Sequence, residues 1–226
     1  RGLAAVSTRP PHPSVALGGR AKRAVDLVVA LPLTILLAPV MAAIAIWIRR
    51  DSPGPVIFRQ RRVGLHGREF DVLKFRSMVV GAERIGAGLA VQANDARITR
   101  SGAILRRLSL DELPQLINVL KGEMSIVGPR PTVPAQVLQY TDAQRGRLRA
   151  RPGVTGLAQV RGRATLPWSE RIAIDLEYID NWSLAGDLAI IAKTILVVLR
   201  GEDTYKGTTG GFDLTSHPEE EPPSQR

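Results

Sequence analysis

The sequence predicts an α+β fold that is mostly helical, with an apolar segment suited to a membrane and a small β-hairpin. Three observations predict it. Leu27–Ile48 is a run of 22 residues without a charge, which at about 1.5 Å per residue is long enough for a bilayer core. Val56–Arg62 and Glu69–Phe75 have β character and flank the turn sequence GLHG. Later segments such as LDELPQLINVLKGEM, ERIAIDLEYIDNW and DLAIIAKTILVVL have the apolar spacing of helices.

The apolar run contains two prolines, Pro32 and Pro39, and each removes a backbone hydrogen bond and tends to kink a helix. Basic residues flank both ends, and the positive-inside tendency would keep both ends in the cytoplasm. They are Arg20, Lys22 and Arg23 before the run and Arg49 and Arg50 after it. Either a helix that bends near Pro39 and returns to the same face or a single spanning anchor satisfies these residues, and they leave both open. A cleaved signal peptide is not predicted, because the apolar run is too long.

The two termini are predicted to be disordered. Residues 1–21 form a basic arm rich in proline and glycine, and the tail 208–226 ends in the low-complexity sequence TSHPEEEPPSQR. The chain begins at Arg1 instead of Met, as expected of a fragment or a processed form.

The composition indicates a polyanionic partner and excludes several kinds of site. Lysine and arginine number 31 against 21 acidic residues, which favours nucleic acid, an anionic lipid surface or phosphorylated substrates. Aromatic residues make up only 4%, which argues against a nucleic-acid binder that stacks bases. The absence of cysteine excludes disulfides, thiolate zinc sites and cysteine nucleophiles, and it fits a reducing compartment. The three histidines are scattered and predict no histidine metal site; they are His12, His66 and His217.

The segment LRRLSLDELPQL concentrates charge at the start of a helix. Ser109 and Glu112 have the spacing of a capping box, and carboxylates in a first turn suit the helix dipole. Capping does not account for Pro114, which would lose a hydrogen bond inside a helix and so predicts a bent or restarted helix entrance. With Arg106 upstream, Asp111 and Glu112 also have the composition of a phosphoryl-transfer site. Helix capping and a reaction centre both stay open on these residues.

Two later segments carry arginines suited to anions. In IVGPRPTVP, two prolines predict extended backbone on either side of Arg130 and hence a rigidly presented guanidinium. Arg149–Arg163 is a glycine-rich loop with four arginines and makes a plausible anion cradle. The apolar run Leu188–Leu199 is too short to span a bilayer and predicts either a core helix or an interfacial one.

Several motifs, taken together and in order, resemble the bacterial sugar transferases, the monotopic polyprenyl-phosphate phosphoglycosyl transferases. They are DSPGPVIFRQRRVG, KFRSM, RRLSLDELPQLINVLKGEMSIVGPRP, RPGVTGLAQVRGR and YIDNWSL. The resemblance covers about Lys22 to Gly207. It implies a re-entrant membrane helix over residues 22–50 and a cytosolic catalytic domain over 51–207 whose amphipathic helices lie on the inner leaflet.

The resemblance also implies a reaction. A sugar-1-phosphate passes from a UDP-sugar to a polyprenyl phosphate, usually undecaprenyl phosphate, with release of UMP, as the first membrane step of surface glycan assembly. Asp111 matches the nucleophile that carries the phosphosugar, and Glu112 matches a second acid assigned to Mg²⁺ or to proton handling. Both acids are the implied metal ligands. The implied phosphate-binding positions are Lys74, Arg106, Arg130 and Arg163.

The implied location is the cytoplasmic face of the plasma membrane, with inner-membrane lipid as a partner and no nucleic acid. A homodimer stays open. The alternative function is a membrane-anchored basic module that binds anions without catalysis. Only the enzyme requires the carboxylate of Asp111, so its replacement by asparagine separates the two.

Overall fold

A computed structural model describes residues 17, 19–85, 95–162 and 166–199 of the chain, with side chains up to residue 197. In chain order the elements are α1 (Gly19–Asp51), β1 (Ile57–Val63), β2 (Glu69–Phe75), α2 (Arg100–Arg107), α3 (Gln115–Lys121), β3 (Ser125–Val127), α4 (Pro134–Val137), α5 (Asp142–Arg145), β4 (Gly153–Thr155), α6 (Leu157–Arg161), α7 (Trp168–Asp180) and α8 (Leu184–Leu199). The prediction of a mostly helical chain with a long apolar N-terminal helix and a small sheet is confirmed. The predicted disordered tail, 208–226, and nearly all of the predicted arm lie outside the described residues.

Helix α1 continues through both of its prolines and is apolar on most of its surface. Among the described residues it is the one helix long and apolar enough to cross a membrane. Its middle section makes few contacts with the rest of the chain: Val28 is 72% exposed, Ile35 68% and Leu36 71%. Such a contiguous apolar surface in water would be unfavourable and indicates contact with lipid. Whether the helix returns to the same face stays a prediction.

The N-terminal end of α1 is fixed to the folded unit by two buried charged side chains. Lys22 Nζ lies 2.6 Å from Asp187 Oδ2 on α8, and both side chains are almost fully buried. One turn later, Asp26 Oδ1 accepts hydrogen bonds from Ser125 Oγ at 2.8 Å and from the Ile126 amide at 2.9 Å. Helix α1 is therefore joined directly to α8 and β3.

The C-terminal end of α1 is fixed to the same unit. Ile48 is fully buried and packs with Phe75 of β2 and Leu105 of α2. At the last residue of the helix, Asp51 Oδ2 accepts from the amide of Ser101 at 2.9 Å and from its hydroxyl at 2.8 Å. The two ends of α1 thus contact the same folded unit, one end through α8 and β3 and the other through α2 and β2.

Strands β1 and β2 form the predicted hairpin. They pair antiparallel, from Ile57 opposite Phe75 to Val63 opposite Glu69. Because side chains alternate between faces, Arg62 and Lys74 project from one face, whereas Arg61 projects from the other with Asp71. Arg61 Nε lies 3.3 Å from Asp71 Oδ1 there, and both side chains are well exposed. The hairpin register therefore determines which of two neighbouring arginines points inward.

The main core joins the hairpin to the short helices and to the second, parallel pair of strands. Strands β3 and β4 pair with Ser125 opposite Gly153 and Val127 opposite Thr155. The core cluster comprises Ala30, Phe70, Val72, Leu116, Val119, Met124, Ile126, Val127, Ala150, Tyr178, Ile179 and Ile190. It draws on α1, β2, α3, β3, α7 and α8, so the elements around β3 are held by common packing.

Helix α2 lies against the chain that follows β2, and Gly102 makes this approach possible. A Cβ atom on Gly102 would lie 2.0 Å from the carbonyl oxygen of Ser77. No side chain fits there unless the backbone moves.

We expect Gly102→Ala to lower the free energy of unfolding by about 1–3 kcal/mol or more, because the added methyl group overlaps backbone atoms of Ser77. Ala103→Ser, at an exposed position of the same helix, should change it by less than about 0.5 kcal/mol. Thermal unfolding of the detergent-solubilised protein measures both. Equal melting temperatures for the two variants would contradict the close approach.

Candidate active site

The two adjacent acids lie in a tight turn between α2 and α3. The segment Leu110–Glu112 forms one 3₁₀ turn, Pro114 occupies the N-cap position of α3, and Gly122 ends α3 with φ of 83°. The restarted helix expected from Pro114 is therefore present, and it ends at a glycine in the left-handed conformation. Asp111 is 8% exposed, so one acid of the pair is buried at the start of a helix.

The predicted capping box is wrong. Ser109 adopts the left-handed conformation with φ of 55°, and its side chain makes no capping hydrogen bond. An N-cap residue that accepts from the third helical amide normally has extended backbone. The carboxylate of Glu112, which a capping box would turn back toward Ser109, is instead bound by two cations from distant parts of the chain.

Glu112 bridges the hairpin and the segment between β3 and α4. Its Oε1 atom accepts from Lys74 Nζ at 2.8 Å and from Arg130 Nη2 at 2.9 Å. Burial opposes ionisation of Glu112, but the charges and hydrogen bonds of Arg130 and Lys74 outweigh it and hold its pKa well below the usual range. Glu112 is therefore a fixed carboxylate that orients two of the predicted phosphate-binding cations.

Asp111 directly precedes Glu112 in the chain but has a different environment. Neither a hydrogen bond nor an ion pair is formed by its carboxylate within the described part of the chain. Burial raises the pKa of Asp111, the charge of Glu112 adds to this effect, and Lys74, Arg106 and Arg130 oppose it. An acid that is buried, unpartnered and surrounded by cations is suited to react with an incoming anion.

Arg106 approaches the acids from the last turn of α2. Its Nη1 atom lies 3.4 Å from Ser77 Oγ, next to the close contact at Gly102. Burial lowers the pKa of Arg106, while the charge of Asp111 acts in the opposite direction. The guanidinium thus lies near Asp111 in a partly dehydrated setting, where its interaction with a phosphate would be strengthened.

The backbone that presents Arg130 is held at several carbonyl groups. Three of its carbonyl oxygens accept hydrogen bonds from donors elsewhere in the fold. Gly153 N donates to the Pro129 carbonyl at 2.9 Å, Arg147 Nη2 to the Arg130 carbonyl at 2.8 Å, and Val63 N to the Thr132 carbonyl at 2.9 Å. Pro129 and Pro131 also restrict φ on either side of Arg130. The Arg130 side chain is 45% exposed and projects from this fixed backbone, as the sequence predicts.

Arg147 supports this segment through a buried ion pair that the sequence did not reveal. Arg147 and Asp175 lie 2.6 Å apart with side chains 4% and 2% exposed. Arg147 also donates to the hydroxyl of Tyr140 at 2.8 Å, in addition to the Arg130 carbonyl. No local pattern links these residues, because the pair joins α7 to a turn 28 positions earlier.

The structure brings together all but one of the predicted site residues. Asp111, Glu112, Lys74 and Arg130 lie around one turn, with Arg106 adjacent. Arg163 lies outside the described residues. Arg62 was not predicted, yet it projects from the same hairpin face as Lys74. The period-two alternation of the strand places Arg61 and Arg62 on opposite faces, but only the pairing register with β2 shows which of them shares the face of Lys74.

Among the predicted site residues, the acidic pair supplies the candidate metal ligands. Within the described ranges no group of three or more histidine, cysteine or acidic side chains could hold a metal ion. Mg²⁺ is commonly held by one or two carboxylates together with substrate phosphates. Asp111 has an uncommitted carboxylate beside Glu112, so the pair fits that mode of binding.

Known proteins are similar in sequence to this chain over most of its length. The sequence profile of the family described as "Bacterial sugar transferase" matches residues 18–201. The exopolysaccharide production protein ExoY of Rhizobium meliloti is 40% identical over 204 residues, which cover 84% of this chain and 90% of that protein.

Two further relatives have names that state a reaction. The UDP-glucose:undecaprenyl-phosphate glucose-1-phosphate transferase of Caulobacter vibrioides is 45% identical over 203 residues, covering 86% of this chain and 75% of that protein. The undecaprenyl-phosphate galactose phosphotransferase of Salmonella typhimurium is 41% identical over 198 residues, covering 81% of this chain and 41% of that longer protein. These relatives differ in the sugar named, so their names do not identify the sugar for this chain.

Arg147→Gln should lower the free energy of unfolding by about 3–5 kcal/mol, because it leaves the buried carboxylate of Asp175 without its cation. The matched control is Arg149→Gln, which removes a half-exposed pair with Asp180 and should cost less than about 1 kcal/mol. Urea unfolding in detergent compares them. Similar small losses in both variants would show that the Arg147 pair does not support the site.

Proposed function

The chain belongs to the bacterial sugar transferase family, and from that premise we propose that it transfers a sugar-1-phosphate from a UDP-sugar to a polyprenyl phosphate, with release of UMP. The observation that carries the proposal is the buried, unpartnered carboxylate of Asp111 beside a carboxylate that holds two cations. A module that only bound anions would have no need for a free carboxylate among its cations, because that carboxylate would repel the anionic ligand.

The proposed reaction has two displacements at the same phosphorus atom. A carboxylate oxygen of Asp111 attacks the β-phosphorus, the bond from that phosphorus to the UMP oxygen breaks, and UMP leaves with the electron pair. A phosphate oxygen of polyprenyl phosphate then attacks the phosphosugar held on Asp111. The aspartyl oxygen leaves as carboxylate, and the product is a polyprenyl diphosphate-linked sugar.

The basic side chains reduce repulsion between an anionic nucleophile and an anionic phosphate. Lys74 and Arg130 are oriented by Glu112, and Arg106 lies nearest to the nucleophile among the cations of α2. Positioned cations of this kind stabilise charge that moves to the leaving oxygen in the transition state. Arg163 is proposed as a further phosphate-binding residue on the family resemblance alone.

Mg²⁺ is the proposed cofactor, held by Asp111 and Glu112 together with phosphate oxygens of the substrate. When bound, the ion would neutralise part of the diphosphate charge. The protein's own contribution is to keep both acids at one helix entrance and to keep Glu112 ionised.

We propose that α1 enters the membrane and returns to the same, cytoplasmic face, with its bend near Pro39. Support comes from its two ends, which both dock on one charged folded unit that must stay in water. Exposed apolar side chains between those ends supply the lipid contact. Helix α8 is proposed to lie on the inner leaflet, because Leu188, Ile195 and Leu196 are each more than half exposed while Ile190 is buried.

We expect Asp111→Asn to reduce UMP release by at least about a thousandfold, because the amide lacks the anionic oxygen that attacks phosphorus. The protein is incubated in detergent with Mg²⁺, polyprenyl phosphate and a broad panel of UDP-sugars. Asp142→Asn, at an exposed acid of α5, is the matched control and should retain activity. A fully active Asp111→Asn variant would favour the binding module, and no UMP from any donor with the wild-type protein would refute the transferase.

Cysteine labelling tests the proposed topology, and the chain has no native cysteine to interfere. Single cysteines at Arg20 and Arg50, exposed positions near the two ends of α1, should react with a membrane-impermeant reagent from the cytoplasmic side only. A cysteine at Ile35 should be protected within the bilayer. Labelling of Arg20→Cys and Arg50→Cys from opposite sides would show a single span.

A further inference from the structure

Arg62 is a cation near the site that has no role in the proposed mechanism. It lies near the end of β1, on the same hairpin face as Lys74 and Gln60. Its side chain is half-buried beside the segment that presents Arg130. The inference below rests on the proposed function only for the identity of the phosphates.

The contacts of Arg62 leave most of its charge unmatched. Its Nη1 atom lies 3.4 Å from the Pro131 carbonyl, a long contact, and its Nη2 atom donates to the amide oxygen of Gln60. Gln60 in turn donates to Glu83 at 2.7 Å, so that carboxylate reaches Arg62 only through a neutral amide. No carboxylate within the described residues lies within 4 Å of the Arg62 guanidinium, whereas Lys74 and Arg130 share Glu112.

The electrostatic setting makes this unmatched charge unfavourable in the empty protein. Burial and the nearby charge of Arg130 lower the pKa of Arg62 to about 10, against the weaker opposing effects of Glu83 and Glu112. The guanidinium therefore stays charged at neutral pH while it is partly removed from water. A half-buried cation without a counter-ion lowers stability, and such groups persist where a ligand supplies the opposite charge.

The position of Arg62 distinguishes it from the cations near the nucleophile. Lys74 lies opposite Phe58 in the hairpin, and Arg62 lies four residues further along β1, next to the Pro131 carbonyl. The cations that act on the pKa of Asp111 are Lys74, Arg106 and Arg130. Arg62 thus lies beside the segment that presents Arg130, displaced along the hairpin from Lys74, and within the described residues it makes no hydrogen bond or ion pair with Asp111.

We propose that Arg62 binds the phosphate that is not transferred: the α-phosphate of the UDP-sugar in the first displacement and the phosphate of polyprenyl phosphate in the second. Attacking and leaving oxygens of a phosphoryl transfer lie roughly in line. Asp111 attacks opposite UMP, and the acceptor must then attack opposite Asp111. The acceptor phosphate therefore takes the position that UMP has left, and one cation beside the Arg130 segment serves both.

The test compares Arg62→Gln with Arg61→Gln, its neighbour on the opposite face of the hairpin. UMP and inorganic phosphate are titrated calorimetrically into each full-length protein in detergent, and the melting temperature without ligand is recorded. Loss of one charge-assisted phosphate contact should weaken UMP binding about tenfold or more in Arg62→Gln. Its melting temperature without ligand should be unchanged or higher, because an unmatched charge has been removed. Arg61→Gln should match the wild type in both respects.

The outcomes separate this inference from the proposed reaction. Unchanged UMP affinity in Arg62→Gln, or a fall in its melting temperature, would overturn the phosphate role and assign Arg62 to the fold. The KM for polyprenyl phosphate should rise with the KM for the UDP-sugar; a rise for the donor alone would overturn the shared position. If wild-type protein bound UMP in an Arg62-dependent way but released none from UDP-sugars, the anion site would stand and the proposed reaction would fail.

Discussion

The interaction on which the site depends is the carboxylate of Glu112, shared between Lys74 and Arg130. It joins the hairpin, the turn between α2 and α3, and the segment after β3. Because one acid satisfies two cations, the neighbouring acid, Asp111, is left without a partner in the described structure. The two adjacent acids therefore have different surroundings, and the reactivity proposed for Asp111 rests on this difference.

The same arrangement links the site to the apolar helix. At one end of α1, Asp26 binds the first residues of β3, which leads to Arg130. At the other end, Asp51 binds the first turn of α2, which leads to Asp111. Strand β3 and helix α2, which lead to Arg130 and Asp111, are therefore each attached to one end of the apolar helix α1. For an acceptor whose phosphate lies at the membrane surface, this attachment would set the height of the reacting groups above the bilayer.

Much of the fold and of the candidate site could be predicted from local sequence, and the predictions that were wrong or missing have a common physical cause. The hairpin follows from alternating residues around GLHG, the restarted helix from Pro114, and the rigid Arg130 from its two prolines. The capping box failed because the pull of Lys74 and Arg130 on Glu112 outweighs a local cap. Arg62 could not be separated from Arg61 without the strand register, and Arg147 required a contact with distant Asp175. Local sequence patterns predicted the backbone conformation of the hairpin, the restarted helix and the Arg130 segment. The side-chain arrangement of the site depends on charge pairs between residues far apart in sequence, which these patterns do not show.

The most direct test of Asp111 as the attacking group is the mass of the intact protein after incubation with its UDP-sugar and Mg²⁺ in the absence of polyprenyl phosphate. We expect the protein to gain the mass of one sugar phosphate, located on the peptide that contains Asp111, and to lose it when polyprenyl phosphate is supplied. The UMP released should not exceed one equivalent until the acceptor is present. Turnover without any adduct, or an adduct on another residue, would contradict the assignment of Asp111 as the attacking group.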